Sequence, residues 1–184
     1  VPAQVLTLAK AAGLKALPTG IDHGTVTVIT DGAPFEITTF REDIQTFGRH
    51  ATVKFSSQIQ EDARRRDFTM NALYAQADGT IIDPLGGLND LVTRRIRFIE
   101  DPNKRIQEDY LRILRFFRFY AWYGNPNEGP DQEALAAISE NLEGLPSLSK
   151  ERVGSEIKKL LQAADPAPAF AAMQITGVLG VILP

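Results

Sequence analysis

Glu61-Asp62-Ala63-Arg64-Arg65-Arg66-Asp67-Phe68-Thr69-Met70-Asn71-Ala72 runs three arginines into a carboxylate, with an amide a helical turn further on. Arginine forks match phosphate oxygens. Asp67 and Asn71 can hydrogen-bond sugar hydroxyls. Together these groups suit a ligand that is anionic at one end and hydroxylated at the other, as a nucleoside triphosphate is. Alone, such a run is more often a solvated basic turn capped by its aspartate, and the rest of the chain has to decide.

A second set supports the nucleotide. Glu108, Asp109, Arg112, Arg115 and Arg118 stand close together. On a continuous helix, steps of three carry Asp109, Arg112, Arg115 and Arg118 along one slowly drifting ridge. That ridge would cover roughly 13 Å, about the length of an extended triphosphate. Asp109 offers only acceptors and Arg112 only donors, so side by side they could read the edge of a base. Arg115 and Arg118 would reach phosphates. A string of surface ion pairs is the plain alternative. The apolar neighbours Phe116, Phe117 and Phe119 argue instead for a partly buried face, where arginines need anionic partners.

Other candidates carry less. Glu36, in the run Pro34–Phe40, could place a carboxylate on a sheet face, as phosphoryl-transfer enzymes do to hold Mg²⁺. No second carboxylate pairs with it on a neighbouring strand; Asp22 and Asp31 fall in turns. His23 and His50, the only histidines, lack companion ligands for zinc. His50 reads as a surface residue or an RNA contact. Gly86-Gly87 belongs to a packing turn, because no strand–GxxxxGK pattern surrounds it.

The elements that would position these groups divide the chain near residue 100. Before it, residues 3–12 read as a helix, Gly24–Thr30 and Pro34–Phe40 as a hairpin about Asp31-Gly32, and 41–60 as an irregular, mobile loop. A short helix from Asp67 to Tyr74, strands at 80–83 and 96–99, and a helical turn at 88–93 follow. Beyond it the pattern is helical: 104–123, 131–142, 149–163 and 166–176. With 184 residues, 43% hydrophobic, the chain can bury a real core. Its net charge of −3 argues against a wholly basic nucleic-acid binder. Arginines nevertheless gather at 64–66, 94–97 and 105–118, which suits a phosphate ligand or a limited RNA contact. Cysteine is absent, which excludes disulfides and thiolate metal sites and fits a cytoplasmic location. No run nears the roughly 20 apolar residues of a membrane span, and Val1-Pro2-Ala3 has no basic n-region before an apolar core, so no signal peptide is expected.

In order and spacing, these segments resemble the class II tRNA nucleotidyltransferase (CCA-adding enzyme) and bacterial poly(A) polymerase family, of the DNA polymerase β-like superfamily. The blocks are HGTVTV…FEITTFR at His23–Arg41, EDARRRDFTMNALY at Glu61–Tyr74, DGTIIDPLGGLNDL at Asp78–Leu91, EDYLRILRFFRF at Glu108–Phe119 and LSKERVGSEIKKLL at Leu148–Leu161. The resemblance implies an α+β fold: an incomplete nucleotidyltransferase head of mixed β-sheet with helices (1–100), then an all-helical neck (101–184). It implies that Asp67 and Asn71 sense the ribose, and that Arg66, Arg115 and Arg118 bind phosphates. Asp109 and Arg112 would pair with the edge of ATP or CTP, and Glu36 would be a third, less secure carboxylate for Mg²⁺. The implied reaction is addition of CMP and AMP to a tRNA 3′ end, without a nucleic-acid template, releasing pyrophosphate. A poly(A) polymerase, a CC- or A-adding enzyme, or a non-catalytic nucleotide- or RNA-binding module are the alternatives. The family's Gly-Gly…Arg-Asp loop and Asp-x-Asp strand are absent here, so the chain is expected to be an inactive interior piece of a longer enzyme.

Overall fold

The computed structural model describes residues 1–47 and 50–183, and no side chains within 43–53. The chain forms two compact units, Val1–Gln45 with Ala51–Arg65, and Arg66–Pro184 with the short Thr46–His50.

In the first unit, helix α1 (Pro2–Ala11) has its proline at the helix start, where the missing N–H costs nothing. Strands β1 (Lys15–Gly20), β2 (Thr25–Thr30) and β3 (Ala33–Thr38) make a three-stranded sheet in that order. Both pairings are antiparallel, rather than the mixed sheet expected. The cause is the short connections, which permit hairpins but no parallel crossover. The hairpin falls where the sequence places it: Thr30 faces Ala33, and Asp31 and Gly32 take φ of 51° and 77°. Two positive φ values match the right-handed twist of the flanking strands. A small core of Ala9, Val26 and Val28 lies under this sheet, with Val5, Leu6 and Ala16 packed on it.

The expected loop over 41–60 is corrected. Strands β4 (Arg41–Phe47) and β5 (His50–Phe55) pair as a two-stranded sheet, and α2 (Ile59–Arg64) follows. Gly48 and Arg49, and the side chain of His50, lie outside the described residues. The short helix expected over 67–74 is instead a single 3-10 turn, Thr69–Asn71, followed by β6 (Tyr74–Ala75). β6 pairs antiparallel with β7 (Ile81–Ile82). The segment 96–99 is less a strand than a single antiparallel bridge, Phe68 to Phe98.

The second unit is helical: α3 (Gly87–Thr93), α4 (Pro102–Glu108), α5 (Leu111–Tyr123), α6 (Gln132–Glu140), α7 (Lys150–Leu161), α8 (Ala167–Ile175) and α9 (Val178–Ile182). A 3-10 segment, Leu142–Ser147, joins α6 to α7. Its core is built on α5, which buries Ile113, Leu114, Phe116 and Phe117. Phe98 stacks on Phe116 at 5.7 Å between ring centroids, and Phe68 lies 4.9 Å from Phe119. Leu160 of α7 and Met173 of α8 complete it, both fully buried. Among the described residues no helix is long and apolar enough to cross a membrane.

Candidate functional site: a carboxylate–guanidinium frame around α5

The expected helix over 104–123 breaks at Asp109, whose φ of −156° and ψ of 104° are extended. The apolar period runs straight through, because Ile106, Leu111, Ile113 and Leu114 all face one core. Local hydrogen bonding makes the break. The Asp109 carboxylate accepts the Leu111 N–H at 3.1 Å, as a helix-starting cap does. Asp109 therefore sits at a corner between α4 and α5, off the ridge. The ridge shortens to Arg112, Arg115 and Arg118, roughly 9 Å at 1.5 Å per residue.

Asp67 is 4% exposed. Its Oδ1 accepts from Phe68 N at 3.0 Å and from Asn71 Nδ2 at 2.9 Å. Its Oδ2 accepts from Arg115 Nε at 2.6 Å and from the same guanidinium's terminal nitrogen at 2.5 Å. A carboxylate has about four lone-pair positions. All four are thus engaged, and a sugar hydroxyl has to displace a donor to reach Asp67. Arg66 donates to the Asn71 carbonyl at 3.2 Å, and its guanidinium lies 5.1 Å from the Tyr74 ring. Arg65 turns to Asp62 at 2.8 Å. Arg65 and Arg66 therefore have different partners.

At the corner, Asp109 Oδ2 accepts from Arg152 of α7 at 2.6 Å. Arg112 donates to Glu108 Oε2 at 2.5 Å and to the Arg105 carbonyl at 2.9 Å. Arg105 pairs with the other oxygen of Glu108. The Arg112 N–H donates to the Asp109 carbonyl at 2.9 Å, while the Asp109 carboxylate is held by Arg152 and the Arg112 guanidinium by Glu108. Two contacts brace the corner. Asn141, 2% exposed, donates to Asn103 at 2.5 Å and accepts from Gln107 at 2.9 Å, both on α4. Gly144 lies so close to the Tyr110 ring that a Cβ there would collide with it.

Arg118 donates to Glu156 of α7 at 2.5 Å, and Glu156 is 4% exposed. Arg115 and Arg118 both lie within cation–π range of Phe119, at 5.5 and 4.6 Å. Sequence reasoning anticipated that these buried arginines need anions but missed Glu156 and Arg152. Their i,i+4 spacing on α7 was the available signal. It also missed Asp90, which accepts from Thr69 Oγ1 at 2.5 Å and from Arg97 at 2.8 Å. Asp83 caps α3 through Gly87 N at 2.8 Å and Leu88 N at 2.9 Å. Burial pushes the Asp83 carboxyl up, but those backbone N–H groups outweigh it and hold it below the ordinary value.

Glu36 lies in the first unit on β3, opposite Thr27, with its side chain exposed. Among the described residues no group of three or more His, Asp or Glu could hold a metal. The described residues therefore do not by themselves make a Mg²⁺ site, which needs several oxygen ligands.

Residues 1–97 match the family model of the poly A polymerase head domain. Residues 130–184 match the model described as the probable RNA and SrmB-binding site of polymerase A. The human mitochondrial CCA tRNA nucleotidyltransferase 1 is 44% identical over 161 residues, 87% of this chain and 37% of that protein. The crystal structure of the Bacillus stearothermophilus CCA-adding enzyme in complex with CTP matches with a TM-score of 0.81 and 36% identity, over 91% of this chain and 40% of that one. A tRNA nucleotidyltransferase complexed with a primer tRNA and an incoming ATP analog matches with a TM-score of 0.74 and 28% identity, over 97% and 50%. The chain thus spans half or less of the length of each of these relatives. With the head-domain model matched over more than half of its residues, the chain belongs to the poly A polymerase and tRNA nucleotidyltransferase family.

Proposed function

We propose that this chain reads the incoming nucleotide in a template-independent RNA nucleotidyltransferase, which adds CMP and AMP from CTP and ATP to the 3′ end of tRNA. In that reaction the RNA 3′-hydroxyl attacks the α-phosphate and pyrophosphate leaves. Residues 1–100 would be the head and 101–184 the helical neck, with the enzyme in the cytoplasm. A poly(A) polymerase is the second reading, favoured by the name of the matched head model.

The observation that carries the reading is the α4–α5 corner, where a carboxylate and a guanidinium three residues apart are each locked by separate partners. Cytosine and adenine both present an amine donor beside a ring-nitrogen acceptor. Asp109 would accept the amine and Arg112 would donate to the nitrogen. Guanine and uracil present the opposite order and would leave a polar group unpaired, at about 1–3 kcal/mol. Fixed partners make the reading rigid, which such a site requires. Arg66, Arg115 and Arg118 would hold the triphosphate, and Asp67 with Asn71 the ribose, at the expense of one present donor to Asp67. Mg²⁺ is the proposed cofactor of the whole enzyme, supplying charge stabilisation at the transferred phosphate, and Glu36 is this chain's proposed contribution to holding it. By itself the chain is proposed to bind nucleotides without transferring them.

The test is the affinity of the chain for CTP, ATP, GTP and UTP, with and without Arg112→Ala. Preference for CTP and ATP that collapses in the variant supports the reading. Equal affinity for all four in the unaltered chain, or unchanged preference in the variant, contradicts it.

A further inference from the structure

At the end of α5 away from Asp109 lies a cavity of about 320 Å³, lined among others by Arg94, Tyr120, Trp122, Gly124, Asp165 and Pro168. Arg112 and Trp122 are ten positions apart on α5, roughly 15 Å along the helix, so this cavity is separate from the base-reading corner. Tyr120 is 7% exposed. Burial alone pushes its phenol above the ordinary value, and among the described residues its hydroxyl has no hydrogen-bond partner. The oxygen itself is not fully buried, so it opens onto the cavity and can hydrogen-bond a group that enters. Gly124 packs so tightly on the Tyr120 ring that a Cβ would collide with it, which fixes the ring.

Two further groups point the same way. Trp122 is 44% exposed, yet its indole is held in place by donating to the Lys159 carbonyl at 2.8 Å. Arg94 has a φ of 60°, in the left-handed region. Its backbone accepts from Asn125 N at 3.1 Å, and its Nε donates to the Tyr123 carbonyl at 3.0 Å. Glycine would adopt this backbone with less strain.

We propose that this cavity binds one nucleotide unit, with its base against the Trp122 indole, a polar edge on the Tyr120 hydroxyl and its phosphate on Arg94. Splayed bases are held on aromatic faces in this way, and guanidinium forks match phosphate. The Asp165 carboxylate, which also caps α8 through Ala167 N at 3.0 Å, would accept a base amine. The unit could be a free nucleoside monophosphate or part of a single-stranded RNA.

Trp122 is the only tryptophan in the chain, so its fluorescence reports on this cavity. CMP, AMP and a single-stranded RNA hexamer are each titrated against the protein and against Arg94→Gly, Tyr120→Phe and Arg112→Ala. Saturable quenching is expected. Arg94→Gly should weaken it about tenfold while leaving the fold about equally stable, since the relaxed backbone offsets the lost bond from Nε to the Tyr123 carbonyl. Tyr120→Phe should weaken it about fivefold, and Arg112→Ala should leave it unchanged. A hexamer that binds more tightly than the monophosphates, with steep salt dependence, identifies RNA as the source. Equal affinities identify the free nucleotide. No quenching by any of the three would mean the cavity holds water only, and would overturn the proposal. Undiminished binding in Arg94→Gly, or loss of quenching in Arg112→Ala, would overturn it as well. Neither result bears on the CTP and ATP preference tested above, so the two readings fail separately.

Discussion

Asp67→Asn separates the charge of the central carboxylate from its shape. Four donors converge on Asp67: Phe68 N, Asn71 Nδ2 and two nitrogens of Arg115. An amide can present its carbonyl to only one of the two sides. Facing Phe68 and Asn71, it sets its NH₂ against Arg115, donor against donor. Breaking a fully buried ion pair costs about 3–5 kcal/mol. Side-chain exposure is 30% for Arg115 against 5% for Asp67, so water recovers part of the loss and about 2–3 kcal/mol remains. The assay is urea unfolding followed by the fluorescence of Trp122, which lies in the same compact unit as Asp67. With a slope of about 1–3 kcal/mol per molar, the midpoint should fall by roughly 1 M. Arg115→Met and the double variant close a cycle, whose coupling energy should be about 1.5 kcal/mol. A loss under about 0.5 kcal/mol, or additive single effects, would refute the view that Asp67 and Arg115 act as one unit.

Three other outcomes follow from the same geometry. Asp67→Ala should narrow the preference for ATP over its 2′-deoxy form in nucleotide binding; an unchanged ratio removes Asp67 from ribose sensing. Asn141→Ala takes partners from Asn103 and Gln107 and should cost about 1–3 kcal/mol in urea unfolding. Because α4 then no longer holds Glu108 and the Arg105 carbonyl firmly, the ratio of CTP to UTP affinity should fall too, and destabilisation without that fall would show the amide cluster to be structural only. Asp83→Asn should weaken the α3 cap by about 1 kcal/mol. The Asp83 value is lowered in the folded state, so its contribution is fully present above the ordinary aspartate value of 3.8 and is lost as pH falls through the lower folded value. The stability gap between the two proteins should accordingly close on acidification, and a gap that widened would reverse the sign.

How much could be read beforehand depended on whether the signal was local. The β2–β3 hairpin was legible, because Asp31-Gly32 supplies the two positive φ values itself. The helices after residue 110 were legible from their apolar period. β1 was missed because Pro18 and Gly20 argue against a strand. It is tolerated because β1 is the edge of its sheet, where a missing N–H costs little. β4 and β5 have the sequence character of a loop, because their charged and polar residues show no clean alternation. The break at Asp109 was invisible to periodicity, which measures which face is buried and not whether the helix is continuous. Among the proposed site residues, chemistry alone singles out Asp67, Asn71, Asp109, Arg112, Arg115 and Arg118. The partners of Asp109 and Arg118 on α7, Arg152 and Glu156, lie some 40 residues away, and only packing of α5 against that helix brings them in.

The proposed role of this chain is to select cytidine and adenosine nucleotides for addition to tRNA. The most direct measurement is incorporation on tRNA lacking its CCA end, by the protein carrying this chain at the full length of its relatives, with CTP alone, ATP alone and both together. The account predicts that ATP is added only after CTP and that synthesis stops after three residues. Long tails from ATP alone would contradict it and make the enzyme a poly(A) polymerase.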